Sequence, residues 1–180
     1  MRRRPHSVRP QPLAIGAAVP VESVAACAGL RPNRVRTAAH PPVFASVGFG
    51  TCLAEVEPDA LAQAALDPAM FRVAAGQHPG PDGGFLLHLY ARDGERLRSR
   101  VFAPLHGIPE DPATGSANAA LAALLLHLDP GRHSAAFDVS QGDEMGCPSR
   151  LRAAARRGPD GVRATVGGGA VPVLRGEVEL

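Results

Sequence analysis

From Ala119 to Leu126 the chain contains only alanine and leucine, and no other stretch constrains the fold as strongly. Both residues favour a helix, and a helix apolar on every side has no face to turn to water, so the rest of the chain must enclose it. Its start is bracketed by prolines. Pro109 and Pro112 cannot sit inside a helix, and each pushes the residue before it toward extended geometry. After Pro112 only Gly115 interrupts, so the helix begins near Thr114 to Ser116, with Thr114 and Ser116 both N-cap candidates. Asp129-Pro130-Gly131 ends it. A buried helix fed by a small polar loop brings free N–H groups and the positive end of the macrodipole together, which suits an anion. The same residue types also serve capping alone, and on composition of the loop by itself that reading weighs more.

The rest of the chain reads as short elements around this helix. Pro20 to Ser23 opens a helix through Ala28 that Gly29 stops. Val43 to Val56 is rich in strand formers and broken at Gly48-Phe49-Gly50, giving two strand segments or one bulged strand. Pro58 to Leu66 and Pro68 to Ala75 read as helices, and Gly76 to Gly84 as a loop. Phe85 to Ala91 and Arg96 to Ala103 form a hairpin about Asp93-Gly94. Beyond the apolar helix, strand-like runs cover Ala135 to Ser140, Arg150 to Arg156, Val162 to Val166 and Ala170 to Leu174. This order predicts an α+β domain, a curved and mostly antiparallel sheet wrapped around a central apolar helix.

Composition excludes several function classes. The net charge of +2 argues against nucleic acid and anionic membrane as partners. The sequence has no lysine, which rules out a Schiff base on the protein. Cys27, Cys52 and Cys147 are scattered without metal-ligand spacing and read as reduced cytoplasmic thiols. Met1 to Arg4 is basic, but the apolar stretch after it is short and interrupted by Pro20, so neither a signal peptide nor a membrane helix is expected. Residues 1 to 12 are basic and proline-rich and read as an exposed end. The alternative is an arm for an acidic partner.

Two strings carry a resemblance. Gly107-Ile-Pro-Glu-Asp-Pro-Ala-Thr-Gly-Ser-Ala117 and Gln141-Gly-Asp-Glu-Met-Gly-Cys-Pro-Ser149 resemble, in order and spacing, the two C-terminal motifs of the phenazine-biosynthesis-like (PhzF-type) isomerases and epimerases. The resemblance implies a diaminopimelate epimerase-like half covering residues 13 to 180. Residues 1 to 12 would be a remnant strand of a missing N-terminal domain, the region that holds the family's catalytic glutamate. It implies cofactor-independent proton transfer at carbon on a small carboxylate-bearing substrate, with no metal. It assigns Asp111 as a polar or acid–base partner and Ser116 as a hydrogen-bond donor to substrate, with Thr114 and Gly115 lining the same loop. The expected partner is a second copy of the chain or a separately encoded N-terminal domain, and the chain alone is expected to be inactive. The alternative is a non-catalytic remnant that binds small anions. Glu22-Ser23 and Gln77-His78-Pro79 echo the missing region's motifs out of context, and no role passes to them. Cys147 stands where relatives carry arginine, a lost cation or a neutral packing change. His106 either orients a ligand or fills a turn.

Overall fold

The computed structural model describes residues 11–171 and 175–177. The remnant strand assigned to residues 1 to 12 therefore lies outside the described residues except for its last two, which form no strand. Most of the run from Ala170 to Leu174 also lies outside them, and Ala170 and Val171 are not in a strand.

In chain order the elements are β1 (Ala14–Ala18), α1 (Val21–Cys27), β2 (Val35–Arg36), β3 (Val43–Ser46), β4 (Gly50–Val56), α2 (Pro58–Gln63) and α3 (Pro68–Gln77). There follow β5 (Leu87–Asp93), β6 (Arg96–Ala103), β7 (Ile108–Asp111), α4 (Gly115–His127), β8 (Ser134–Gln141), β9 (Ser149–Gly158) and β10 (Gly161–Gly168). The strands form one sheet in the order β1-β3-β4-β5-β6-β8-β9-β10, with β2 added against β4 and β7 against β6. All pairs are antiparallel except β4 with β5 and β6 with β8. Both parallel pairs bracket a helical crossover, which is what a parallel neighbour requires: α2 and α3 in the first, α4 in the second.

Alternation along the strands sorts the core into two faces. Cys52, Ala54, Leu87 and Leu89 point outward to Val24, Leu61 and Phe71 of the three short helices. Leu53, Tyr90, Leu97 and Phe137 point inward to the leucines of α4. The central helix packs on β3 as well as on β10, near opposite ends of the strand order, so the sheet must curve around it. The Leu13 amide donates to the Val162 carbonyl at 2.7 Å, bringing the two sheet edges together at one point. The expected α+β architecture is thus present, with a layer of three short helices outside it.

Every residue of α4 from Ala117 to Leu126 is buried. Thr114 stands at the N-cap, yet its hydroxyl caps no backbone amide. The helix tolerates this because burial of a leucine side chain is worth about 2 kcal/mol, against about 1 kcal/mol for an N-cap, and α4 buries four leucines. At its other end Arg157 of β9 donates to the carbonyls of Leu126 (2.7 Å), Asp129 (3.0 Å) and Arg132 (2.9 Å), covering the helix C-terminus with a cation. No helix among the described residues is long and apolar enough to cross a membrane.

The extended geometry expected around Pro109 takes the form of strand β7. Val101 pairs with Asp111, Phe102 with Glu110 and Ala103 with Ile108, so Pro109 falls in a bulge where its missing N–H breaks no ladder bond. The strand is anchored from outside by Arg100, whose guanidinium makes a bidentate pair with Glu110 at 2.8 Å and donates to the carbonyls of Leu61 in α2 and of Ala64 just after it.

Candidate active site

The two sequence motifs meet at the N-terminus of α4, and Gln141 joins them. The Gln141 carboxamide is buried. Its Nε2 donates to the Asp111 carbonyl (2.6 Å) and to the Thr114 hydroxyl (3.0 Å). Its Oε1 accepts from the Thr114 amide (3.3 Å) and from Asn118 Nδ2 (2.7 Å). Asn118 in turn donates to the Thr114 carbonyl at 2.9 Å. The Thr114 hydroxyl, occupied by Gln141 on one side, donates to Asp111 Oδ2 at 2.6 Å on the other. That bond is why Thr114 does not cap the helix. Asp111 Oδ1 accepts from the Ala113 amide at 3.3 Å, so the carboxylate closes a small turn ahead of α4. Together with Arg100 on Glu110, this leaves little freedom anywhere in the loop from Glu110 to Thr114.

Gly142 completes the junction. It sits at φ 82°, where only glycine is comfortable. A side chain there would run into the Cys147 carbonyl and touch Pro112 at 3.0 Å. The backbone of the second motif therefore lies directly on the first. Cys147 itself is exposed, and its amide donates to the Gly142 carbonyl at 3.0 Å.

Of the four residues expected at the site, the structure divides the roles. Asp111 and Thr114 belong to the hydrogen-bonded junction. Gly115 and Ser116 line a groove of about 490 Å³, with Val47, Gly48 and Phe49 on one bank and Ala164, Thr165 and Val166 on the other. The groove lies between the β3–β4 turn and the edge strand β10, with Ala119 in its floor. Ser116 is exposed there. The first-turn amides of a helix have no intrahelical partner, and no side chain caps those of α4. The groove thus offers an apolar trough with hydrogen-bond donors and a positive helix end at one wall. No residue lining it is ionisable.

His106 is exposed and packs edge-on to Phe49, with ring centroids 5.7 Å apart, and it crowds Gly84. It thus braces a groove-lining side chain. Ser23 and His78 come within 3.4 Å of each other between α1 and α3, on the sheet's outer side. Among the described residues no three His, Cys, Asp or Glu side chains gather in a way that could hold a metal ion. Gln141 and Asn118 had no assigned role in the sequence reading. The only signal for Asn118 was a lone amide inside an Ala/Leu helix.

The sequence profile of the family described as "Phenazine biosynthesis-like protein" matches residues 9–176. A trans-2,3-dihydro-3-hydroxyanthranilate isomerase from Pseudomonas chlororaphis is 37% identical over 95 residues, 52% of this chain and 34% of that protein. An uncharacterized isomerase from Deinococcus radiodurans is 39% identical over 93 residues, 49% of this chain and 30% of its own length. Among solved structures, a PhzF-family phenazine biosynthesis protein from Bacillus anthracis superposes with a TM-score of 0.79 at 21% identity. The superposition covers 96% of this chain and 60% of that one. A predicted epimerase from Pseudomonas aeruginosa gives a TM-score of 0.68 at 27% identity, covering 88% of this chain and 53% of that one. The matches thus span about a third of the curated relatives and little more than half of the structural ones. With two motifs interlocked at one helix end and a family match over nearly the whole sequence, the chain belongs to the phenazine biosynthesis-like (PhzF) family.

Proposed function

We propose that this chain supplies the substrate-anchoring half of a PhzF-type isomerase or epimerase site. The observation that carries the reading is the uncapped first turn of α4 opening on the groove beside the exposed Ser116. A substrate carboxylate is held there by the Gly115 and Ser116 amides and the Ser116 hydroxyl, with its apolar body along Val47, Phe49 and Val166. The reaction moves a proton from one carbon to another or back to the opposite face. The C–H electron pair passes into the conjugated substrate and returns to form the new C–H bond. The donors at the helix end stabilise the negative charge that develops meanwhile. Asp111, four residues before the groove-lining Gly115 and already bonded to Thr114, serves as an acid–base or orienting partner. No cofactor is required for such chemistry. The isomerase named among the relatives points to a dihydro-hydroxyanthranilate-like carboxylate as the substrate class.

A second reading has its own support. Because no groove-lining side chain titrates, the chain by itself anchors a small carboxylate without turning it over. A second copy or an N-terminal domain encoded separately would bring the missing base. Incubation with trans-2,3-dihydro-3-hydroxyanthranilate in D₂O, followed by NMR, separates the readings. Saturable binding without deuterium incorporation supports the anchoring role of the chain alone. Incorporation that vanishes in Asp111→Asn supports catalysis within this chain and overturns the need for a partner. Neither binding nor incorporation overturns both readings.

A further inference from the structure

Beneath the first turns of α4 several polar side chains are closed off from solvent with hydrogen-bonding capacity unmet. The Ser99 hydroxyl and the Asn118 carbonyl oxygen are buried and unpaired, and the buried His88 ring has no partner besides the Ala117 backbone. Their residues are at most 1% exposed. Buried polar groups are almost always satisfied, by protein or by ordered water, so a cluster of such atoms calls for a ligand.

Strand register brings the cluster together. On the α4-facing side His88 pairs with Val101 across β5–β6, and Ser99 is the next residue of β6 on that face, a diagonal neighbour. Ser99 stands opposite Gln141 across β6–β8, and Gln141 is bonded to Asn118. The backbone of Ala117, the residue before Asn118, borders the His88 ring. Ala103 and Ala117, both small and buried, pack together with Val101, the residue across from His88.

The chemistry narrows the ligand. Burial pushes the His88 imidazole down to about 4, with the Ala117 backbone offsetting this in part, so at neutral pH the ring is uncharged. A neutral imidazole has one donor and one acceptor nitrogen, a hydroxyl can be either, and the Asn118 oxygen only accepts. The ligand must therefore be small, uncharged, and able to donate and accept together.

We propose that His88, Ser99 and Asn118 form a built internal water site that ties β5 and β6 to the first turns of α4. The water takes the hydrogen-bonding capacity the protein leaves over. Through Asn118, it extends the Gln141 junction inward to His88. The site is independent of the proposed reaction, because it requires only the closed fold.

Water-selective NOE and ROE spectra on the labelled full chain test this. Cross-peaks between water and the His88 ring protons or the Asn118 side-chain amide are expected, with the sign of a water held for longer than the molecule's tumbling time. Ser99→Val removes a hydroxyl and fills the space, and it is expected to erase them. A folded wild-type chain without these cross-peaks, or peaks that survive Ser99→Val, overturns the proposal. Should Ser99→Val fail to fold, a high-resolution crystal structure of the wild type decides. Density for a water within hydrogen-bond distance of His88 supports the site, and a dry cluster overturns it.

Discussion

Replacing Gln141 with leucine removes the side chain that joins the two motifs while nearly conserving volume. Four hydrogen bonds are lost: to the Asp111 carbonyl, the Thr114 hydroxyl, the Thr114 amide and Asn118 Nδ2. Each is worth about 1 kcal/mol net, and a buried group left without a partner costs about 1–3 kcal/mol. Two of the orphaned groups keep another bond, Thr114 through Asp111 and Asn118 through the Thr114 carbonyl. The penalty therefore falls mainly on the Asp111 carbonyl and the Thr114 amide. The sum is a loss of about 3–5 kcal/mol. For a chain of this size each kcal/mol shifts Tm by about 2–4 °C, so thermal unfolding by circular dichroism should move by about 6–20 °C. Urea unfolding should show a lower midpoint at an unchanged slope. A loss below about 1 kcal/mol would refute the view that this carboxamide holds the motifs together.

Arg157→Met keeps the apolar stem but removes the donors at the C-terminus of α4, and a loss of about 2 kcal/mol is expected in the same unfolding assay. Acid should weaken the fold through His88. Its folded value of about 4 lies below the ordinary 6.5, so between these values the unfolded chain binds a proton that the folded chain does not. Stability from this group is then fully present above about pH 6.5 and lost as pH falls toward 4, by about 3 kcal/mol in all. His88→Leu should flatten that part of the stability–pH curve, and an unchanged slope would sink the assignment. Of the three thiols, Cys147 is exposed, whereas burial pushes Cys27 up to about 12 and raises Cys52 further. One equivalent of thiol reagent should therefore react with the native chain.

Features written in local pattern were legible in the sequence. The Ala/Leu run announced an enclosed helix, and the Pro-bounded loop before it announced where that helix starts. What depended on distant partners was not. The pairing of β4 with β5 and β6 with β8 in parallel is set by where the crossover helices pack, which no strand shows on its own. Ala14 to Ala18 carries only one strong strand former, Ile15, and is a strand because β3 pairs with it. Pro109 read as a breaker, yet the bulge in β7 accommodates it. Of the two N-cap candidates, Thr114 and Ser116, the structure takes Thr114, but Gln141, 27 residues on, diverts its hydroxyl to Asp111. The candidate loop could be found from residue types. Its division into a junction half (Asp111, Thr114) and a groove half (Gly115, Ser116) could not, because it depends on the β3–β4 turn and β10 closing in from elsewhere.

The central claim is that the first turn of α4 anchors a small carboxylate, and amide NMR tests it most directly. Titration of the ¹⁵N-labelled chain with anthranilate should shift the Gly115 and Ser116 resonances saturably, along with Val47, Phe49 and Val166 across the groove. Ser116→Ala should weaken the response without unfolding the chain, since the hydroxyl is exposed. Saturable shifts confined to distant amides, with Gly115 and Ser116 unmoved, would contradict the account.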